Sequence, residues 1–202
     1  MNLTKKLAIA VVALSLALVL VVGGTLAYLV SESATVTNTF TVGDVSITLD
    51  ETDVDGSRTG VTTEGRDIAN KYKLVPGMSY VKDPTVHVAG GNEKCYVFVQ
   101  VTNGIASLEA ADNTIEAQIA AKNWTELDGV DGVYYKLVEA SESDTDLVVF
   151  DGFKIAETVD KTALESINDG TAVTVIAYAI QYLGFESGVD DAWRAVSAAA
   201  NA

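Results

Sequence analysis

The sequence contains very little cysteine, histidine or proline, and each shortage excludes a class of protein. Of its 202 residues, one is a cysteine (Cys95) and one is a histidine (His87). An intramolecular disulfide is therefore excluded, and a zinc site built from several cysteines and histidines cannot be assembled. Because Cys95 begins the alternating apolar run Cys95–Val99, we predict a buried small side chain there and not a nucleophile. The two prolines, Pro76 and Pro84, provide no proline-rich linker.

Basic residues are also scarce. The chain has 13 lysines and arginines against 28 aspartates and glutamates, which gives a net charge of −15. Such a surface repels phosphate backbones and anionic headgroups, so we expect no nucleic-acid partner. Solvation of a soluble domain is the simplest interpretation of this charge, although it could also attract divalent cations loosely.

The first residues have the three parts of a secretory signal. Met1–Lys6 is basic, Leu7–Val22 is uncharged and almost entirely aliphatic, and Gly23–Ala27 introduces small side chains. We predict a signal peptide over residues 1–27, cleaved between Ala27 and Tyr28, and a product that is secreted or displayed at the cell surface. The alternative is a retained membrane anchor, because the uncharged stretch continues to residue 30 and could span a bilayer.

Residues 28–202 are predicted to form a single strand-rich domain. Val36, Asn38, Phe40 and Val42 alternate, and the phase shifts at Gly43–Asp44, which indicates a bulge or turn. Residues 50–70 are polar and are predicted to form a long surface loop. Further strands are predicted over residues 81–88 (an edge strand, because it contains Pro84), 96–102, 133–138, 147–155 and 171–183, the last one central because both of its faces are apolar. With short helices at 114–121 and after Ser187, the pattern predicts an all-β fold, a β-sandwich with a few short helices, preceded by an N-terminal hydrophobic signal helix.

The sequence contains no recognisable catalytic, metal-binding or phosphate-binding motif. His87 has no second histidine at a metal-binding spacing, no Gly-x-Ser-x-Gly is present, and no phosphate-binding loop follows a strand. We therefore predict no enzyme, with no catalytic, cofactor-binding or metal-binding residue and no cofactor. Asp50–Gly56 and Asp144–Asp146 contain carboxylates that could bind calcium, but the full loop pattern is missing, and a solvated loop is the simpler interpretation.

The leader and the segment after it resemble a known family. The motif Gly23–Tyr28, running into Asn38–Val45, is similar to the export signal handled by the SipW-type signal peptidase in the TasA/camelysin family of biofilm-matrix fibre proteins from Gram-positive bacteria. Weaker similarities follow at Tyr72–Gly77, Lys82–Val86, Cys95–Val99 and Thr174–Ala179. The resemblance implies a jelly-roll domain, cleavage after Ala27 and assembly into extracellular filaments.

The resemblance also implies how subunits join. In this family the freed N-terminal segment of one subunit inserts as a strand into the next, and here that donor would be residues 28–40. Its apolar residues are Tyr28, Leu29, Val30, Val36 and Phe40. A head-to-tail contact of this kind does not close and produces fibres. The expected partners are further copies of the chain, the signal peptidase during export and other matrix proteins.

Alternatives remain open at this level. Residues 28–40 could be a flexible tail. The chain could be a membrane-anchored surface adhesion or binding module that engages its ligand through the 50–70 loop. Camelysin-type proteins have been labelled metallopeptidases, but the sequence has no His-Glu-x-x-His motif, so metal-dependent hydrolysis is the least favoured reading.

Overall fold

The computed structural model describes residues 41–42, 45–57, 60, 63–165 and 173–200. The leader, the cleavage site Ala27–Tyr28 and the proposed donor residues Tyr28, Leu29, Val30, Val36 and Phe40 lie outside this part of the chain. None of the helices within it is long and apolar enough to cross a membrane.

One sheet has five strands in the order β1-β11-β6-β8-β7. Their bounds are β1 Thr41–Val42, β6 Cys95–Asn103, β7 Thr125–Glu126, β8 Val133–Val138 and β11 Val173–Gln181. The pairs within this sheet are antiparallel except for β1 and β11, which are parallel. The longest pairing in this sheet joins β6 to β11 over nine positions, from Val173↔Asn103 to Gln181↔Cys95.

A second sheet has four strands in the order β3-β2-β5-β9, all antiparallel. Their bounds are β2 Ile47–Thr52, β3 Arg66–Asp67, β5 Thr85–Val88 and β9 Thr145–Val148. A small antiparallel pair joins β4 (Ser79–Val81) to β10 (Gly152–Lys154).

Short helices connect or cover the strands. They are a 3₁₀ turn at Ala106–Leu108, α1 at Ile115–Ala121, α2 at Lys161–Glu165 and α3 at Val189–Ala200. Helix α1 begins where the sequence predicts it, because Thr114 Oγ1 accepts a hydrogen bond of 3.2 Å from the Ala117 N–H and caps the first turn.

The main core lies between the two larger sheets. Alternate residues of each strand point into it, which buries side chains from both layers in one cluster. Its members include Ile47, Leu49, Val86, Val88, Cys95, Val97, Val99, Val175, Ala177 and Ala179. The prediction of an all-β sandwich with a few short helices is therefore confirmed.

A second, smaller core explains why β11 is apolar on both faces. The outer face of the five-stranded sheet is covered by α3, and Phe98 and Tyr178 pack there against Ala192 and Val196. The predicted burial of both faces of β11 is confirmed. Its predicted central position needs correction, since β11 is second from the end of the sheet, next to the two-residue strand β1.

The prediction of one edge strand over residues 81–88 is wrong. The region forms two strands, and β5 lies inside its sheet, between β2 and β9. Pro84 precedes β5, so its missing N–H removes no bond from the ladder, while its carbonyl accepts a 2.8 Å bond from the Val149 N–H. A proline just before a strand therefore does not indicate an edge strand.

The predicted loop over residues 50–70 is partly replaced by strands. β2 continues to Thr52, and β3 pairs with it in the register Glu51↔Asp67. Asp50, Glu51 and Asp67 are buried despite their charge. Polarity indicated a solvated loop, but ion pairs with Arg66 and Lys82 and a hydrogen bond from the Gly60 N–H compensate the burial of these carboxylates.

Candidate functional site at the edge of strand β11

Within the described residues, strand β11 has a neighbour along its full length on one side only. On the other side β1 pairs with it at two positions, Thr41↔Ala179 and Val42↔Ile180. Among the described residues, no strand lies beside the remaining stretch, Val173–Tyr178. This stretch, called here the β11 edge, is a candidate for pairing with another segment.

Backbone polarity identifies the groups that the β11 edge presents. The Tyr182 N–H donates to the Lys94 carbonyl, at 2.8 Å, on the β6 side. In an antiparallel pair every second residue points its N–H and C=O at the same neighbour. Val173, Val175 and Ala177 therefore direct these groups away from β6, towards the edge.

The other sheet ends in the described part of the chain are short or charged. β3 is Arg66–Asp67, β7 is Thr125–Glu126, and β9 carries Asp146. Charges and short length are common features that protect an edge from pairing with another chain. By contrast, the β11 edge reads Val-Thr-Val-Ile-Ala-Tyr and has no charge, which makes it suited to accept a strand.

A cleft opens beside the start of this edge, between β11 and β2. It has a volume of about 160 Å³, and Leu49, Val173 and Val175 supply apolar walls. The opposite wall is polar: Lys82 Nζ lies 2.5 Å from Glu51 Oε2, and Asn70 Nδ2 donates to Glu51 Oε1 at 2.8 Å. A segment extended along the β11 edge would have this cleft at its side.

The sequence patterns did not predict the β11 edge as a site. Its apolar faces were read as the mark of a strand enclosed on all sides, and burial of the faces says nothing about the edges. A usable signal was the absence of charge over Val173–Tyr178, since charged residues commonly protect an edge strand from pairing.

The residues around His87 do not provide the ligands of a zinc-peptidase centre. His87 is the one imidazole of the chain, and its two ring nitrogens face different carboxylates, Asp146 and Asp50. Asp50 is also held by the guanidinium of Arg66 at 2.7 Å, a positive charge that opposes a divalent cation. Zinc sites in hydrolases use two or three histidines or cysteines, so these residues do not fit one.

Three carboxylates do converge elsewhere in the described residues. Oxygens of Asp53, Asp55 and Asp67 lie within 4.8 Å of one another. Asp67 accepts bonds of 3.0 Å from Ser57 Oγ and from the Gly60 N–H. Hydrogen bonds from Ser57 and from the Lys71 N–H lower the pKa of Asp55. The cluster is compensated by its own donors and contains no nitrogen ligand for zinc.

Comparison with known proteins gives one match. Residues 2–74 match a family model described as camelysin metallo-endopeptidase. No curated protein and no solved structure matches the chain significantly. The matched segment includes the leader motif and strands β1 to β3, and the family description points to possible peptidase activity. The match over residues 2–74 confirms the resemblance to the camelysin/TasA-type family that the sequence predicts.

Proposed function

We propose that this protein is a secreted structural subunit of extracellular filaments or a biofilm matrix, which polymerises by donor-strand addition. The observation that carries the proposal is the uncharged β11 edge, with the backbone groups of Val173, Val175 and Ala177 directed outwards. An added strand would satisfy these groups and extend the sheet.

The chain itself contains a segment of the right character. Residues 28–40 precede β1 and contain Tyr28, Leu29 and Val30, which would form an exposed apolar stub after cleavage at Ala27. Burial of such side chains contributes about 25 cal/mol per Å² of apolar surface. Because the donor belongs to one copy and the acceptor edge to the next, the contact repeats without closing.

Proline substitutions provide a selective test. Val175→Pro removes an N–H that points to the edge, and it leaves the ladder between β11 and β6 intact. We expect the chain beginning at Tyr28 to form filaments in electron micrographs, and Val175→Pro to keep the circular-dichroism spectrum of the parent but to remain monomeric. Deletion of residues 28–37 should have the same effect.

A matched control places proline at another edge. Val149 donates its N–H to Pro84, so in β9 the N–H of Val148 points away from β5, and Val148→Pro should leave filaments intact. If the chain from Tyr28 stays monomeric at high concentration, or if Val175→Pro polymerises as the parent does, then addition at the β11 edge is wrong.

The family description also supports a second candidate, a metal-dependent endopeptidase. Its test is independent of assembly. Stoichiometric zinc in the folded protein, together with peptide cleavage that His87→Gln abolishes, would establish it. Cleavage that is unchanged in His87→Gln would place the activity on residues other than the single histidine.

A further inference from the structure

A row of charged side chains crosses the outer face of the four-stranded sheet. Each strand contributes one residue, in the spatial order Arg66 (β3), Asp50 (β2), His87 (β5) and Asp146 (β9). Arg66 Nε lies 2.7 Å from Asp50 Oδ1, and His87 Nε2 lies 2.9 Å from the same oxygen. His87 Nδ1 lies 2.7 Å from Asp146 Oδ1. The row links the innermost strands to the edge strand β9.

The geometry at His87 requires a particular protonation state. A neutral imidazole has one N–H donor and one acceptor, whereas an ionised carboxylate only accepts. A neutral ring between Asp50 and Asp146 would therefore set a nitrogen lone pair against a carboxylate oxygen. The imidazolium donates to both, and such charge-assisted bonds are stronger than neutral ones.

The surrounding charges favour the same state. Asp50 comes from β2 and Asp146 from β9; Asp144 lines the same groove, and Arg66, the cation beyond Asp50, is itself paired with Asp83 at 2.7 Å. Burial of the ring lowers the pKa of His87, but the hydrogen bonds and charges of Asp50 and Asp146 outweigh burial and raise the pKa above its ordinary value of 6.5.

Strand β9 lies at an end of the four-stranded sheet, where the Trp124 Nε1–H donates to the Val148 carbonyl at 2.9 Å. It is four residues long and pairs only with β5 among the described strands, in the register His87↔Asp146. The Asp146 side chain is 65% exposed, so its bond to the ring is the part of the row most easily lost.

We propose that His87 is a proton-operated clasp, which fastens the edge strand β9 to the interior strand β2 while the ring is protonated and loosens β9 when the proton is lost. Its stabilising effect is fully present below the pKa of the unfolded state and disappears as the pH rises through the higher pKa of the folded state. The contact thus responds to pH above the ordinary histidine pKa of 6.5, in the range where the ring of the folded protein loses its proton.

The single histidine makes the proposal directly testable. Its ring protons give one set of resonances, so the titration midpoint is read from NMR spectra of the purified chain without assignment. We expect a midpoint above 6.5 that decreases in Asp146→Asn, whereas Glu139→Gln, which removes an exposed carboxylate paired with Lys94, should leave it unchanged. A midpoint unaffected by Asp146→Asn would overturn the proposal.

Amide hydrogen exchange tests whether β9 loosens when His87 loses its proton. After correction for intrinsic rates, protection of the Thr145 and Leu147 amides, which point to β5, should decrease about fivefold between a pH below the midpoint and one above it. Amides of β6 should not change, and the pH effect on β9 should vanish in His87→Gln. Equal protection of β9 on both sides of the midpoint would show that the ring titrates without acting as a clasp.

Discussion

The guanidinium of Arg66 bridges Asp50 and Asp83, with Nε 2.7 Å from Asp50 Oδ1 and Nη1 2.7 Å from Asp83 Oδ2. The Asp50 side chain is 3% exposed, so its charge depends on partners and not on water. Burying a carboxylate is costly unless it is paired and hydrogen-bonded. A segment with the polarity of a surface loop is therefore folded into the sheet as β2 and β3.

Replacing Arg66 should strongly destabilise the fold. Arg66→Met leaves Asp50 buried with one cation fewer, and loss of one partner of a buried ion pair costs about 3–5 kcal/mol. We expect a decrease of this size in the free energy of unfolding, measured by urea denaturation at neutral pH. Arg66→Lys should recover only part of it, because an ammonium cannot reproduce the planar two-carboxylate contact.

The matched control is Arg194, which pairs with Asp191 on the surface of α3 at 2.8 Å with both side chains mostly exposed. Arg194→Met should change stability by less than about 0.5 kcal/mol, since exposed ion pairs contribute little. Equal effects of the two substitutions would contradict the role assigned to Arg66.

Cys95 should be unreactive in the native protein. Its side chain is buried in the main core, and burial raises the pKa of the thiol to about 11. At pH 8 about a thousandth of such a thiol is ionised, against roughly a quarter of a free one. Labelling with a thiol reagent should therefore be negligible until denaturant is added, and rapid native labelling would show that the strand opens.

Much of the fold follows from short-range patterns. The alternation in Cys95–Val101 places Cys95, Val97 and Val99 on one face, and these residues do lie in the main core. Ile115 and Ile119 predict a short amphipathic helix over residues 114–121, because one helical face collects residues four apart. These patterns depend only on residues that are close in the sequence, so they can be recognised from one sequence without knowledge of the fold.

The site depends on pairings that no local pattern contains. The register Thr41↔Ala179 joins residues from opposite ends of the chain, and the row from Arg66 to Asp146 needs four strands in a particular order. His87 belongs to no motif in the sequence, yet both of its ring nitrogens lie within hydrogen-bond distance of carboxylates. Strand order determines these contacts, and it was not available from periodicity.

Gly152 should not tolerate a side chain. A Cβ at this position would lie 2.1 Å from the Tyr80 carbonyl oxygen, where β10 pairs with β4. Gly152→Ala must displace the backbone of β4, so we expect a destabilisation of about 1–3 kcal/mol. Gly188→Ala is the control, since nothing lies within 4 Å of its Cβ position, and it should leave the unfolding midpoint almost unchanged.

Trp193 should contribute to stability through the second core. Its ring centroid lies 5.4 Å from that of Phe98 and 5.5 Å from that of Tyr178, so it fixes α3 to the outer face of β6 and β11. Trp193→Ala should lower the free energy of unfolding by about 2–4 kcal/mol, somewhat below the cost for a fully buried tryptophan. Leu183→Ala, at a side chain that is 72% exposed, should cost less than about 0.5 kcal/mol.

A double-mutant cycle of Trp193→Ala with Phe98→Ala should give a coupling of about 0.5–1.5 kcal/mol between the two rings. Additive effects would mean that α3 is held by its aliphatic residues, Ala192 and Val196, and not by the aromatic contact.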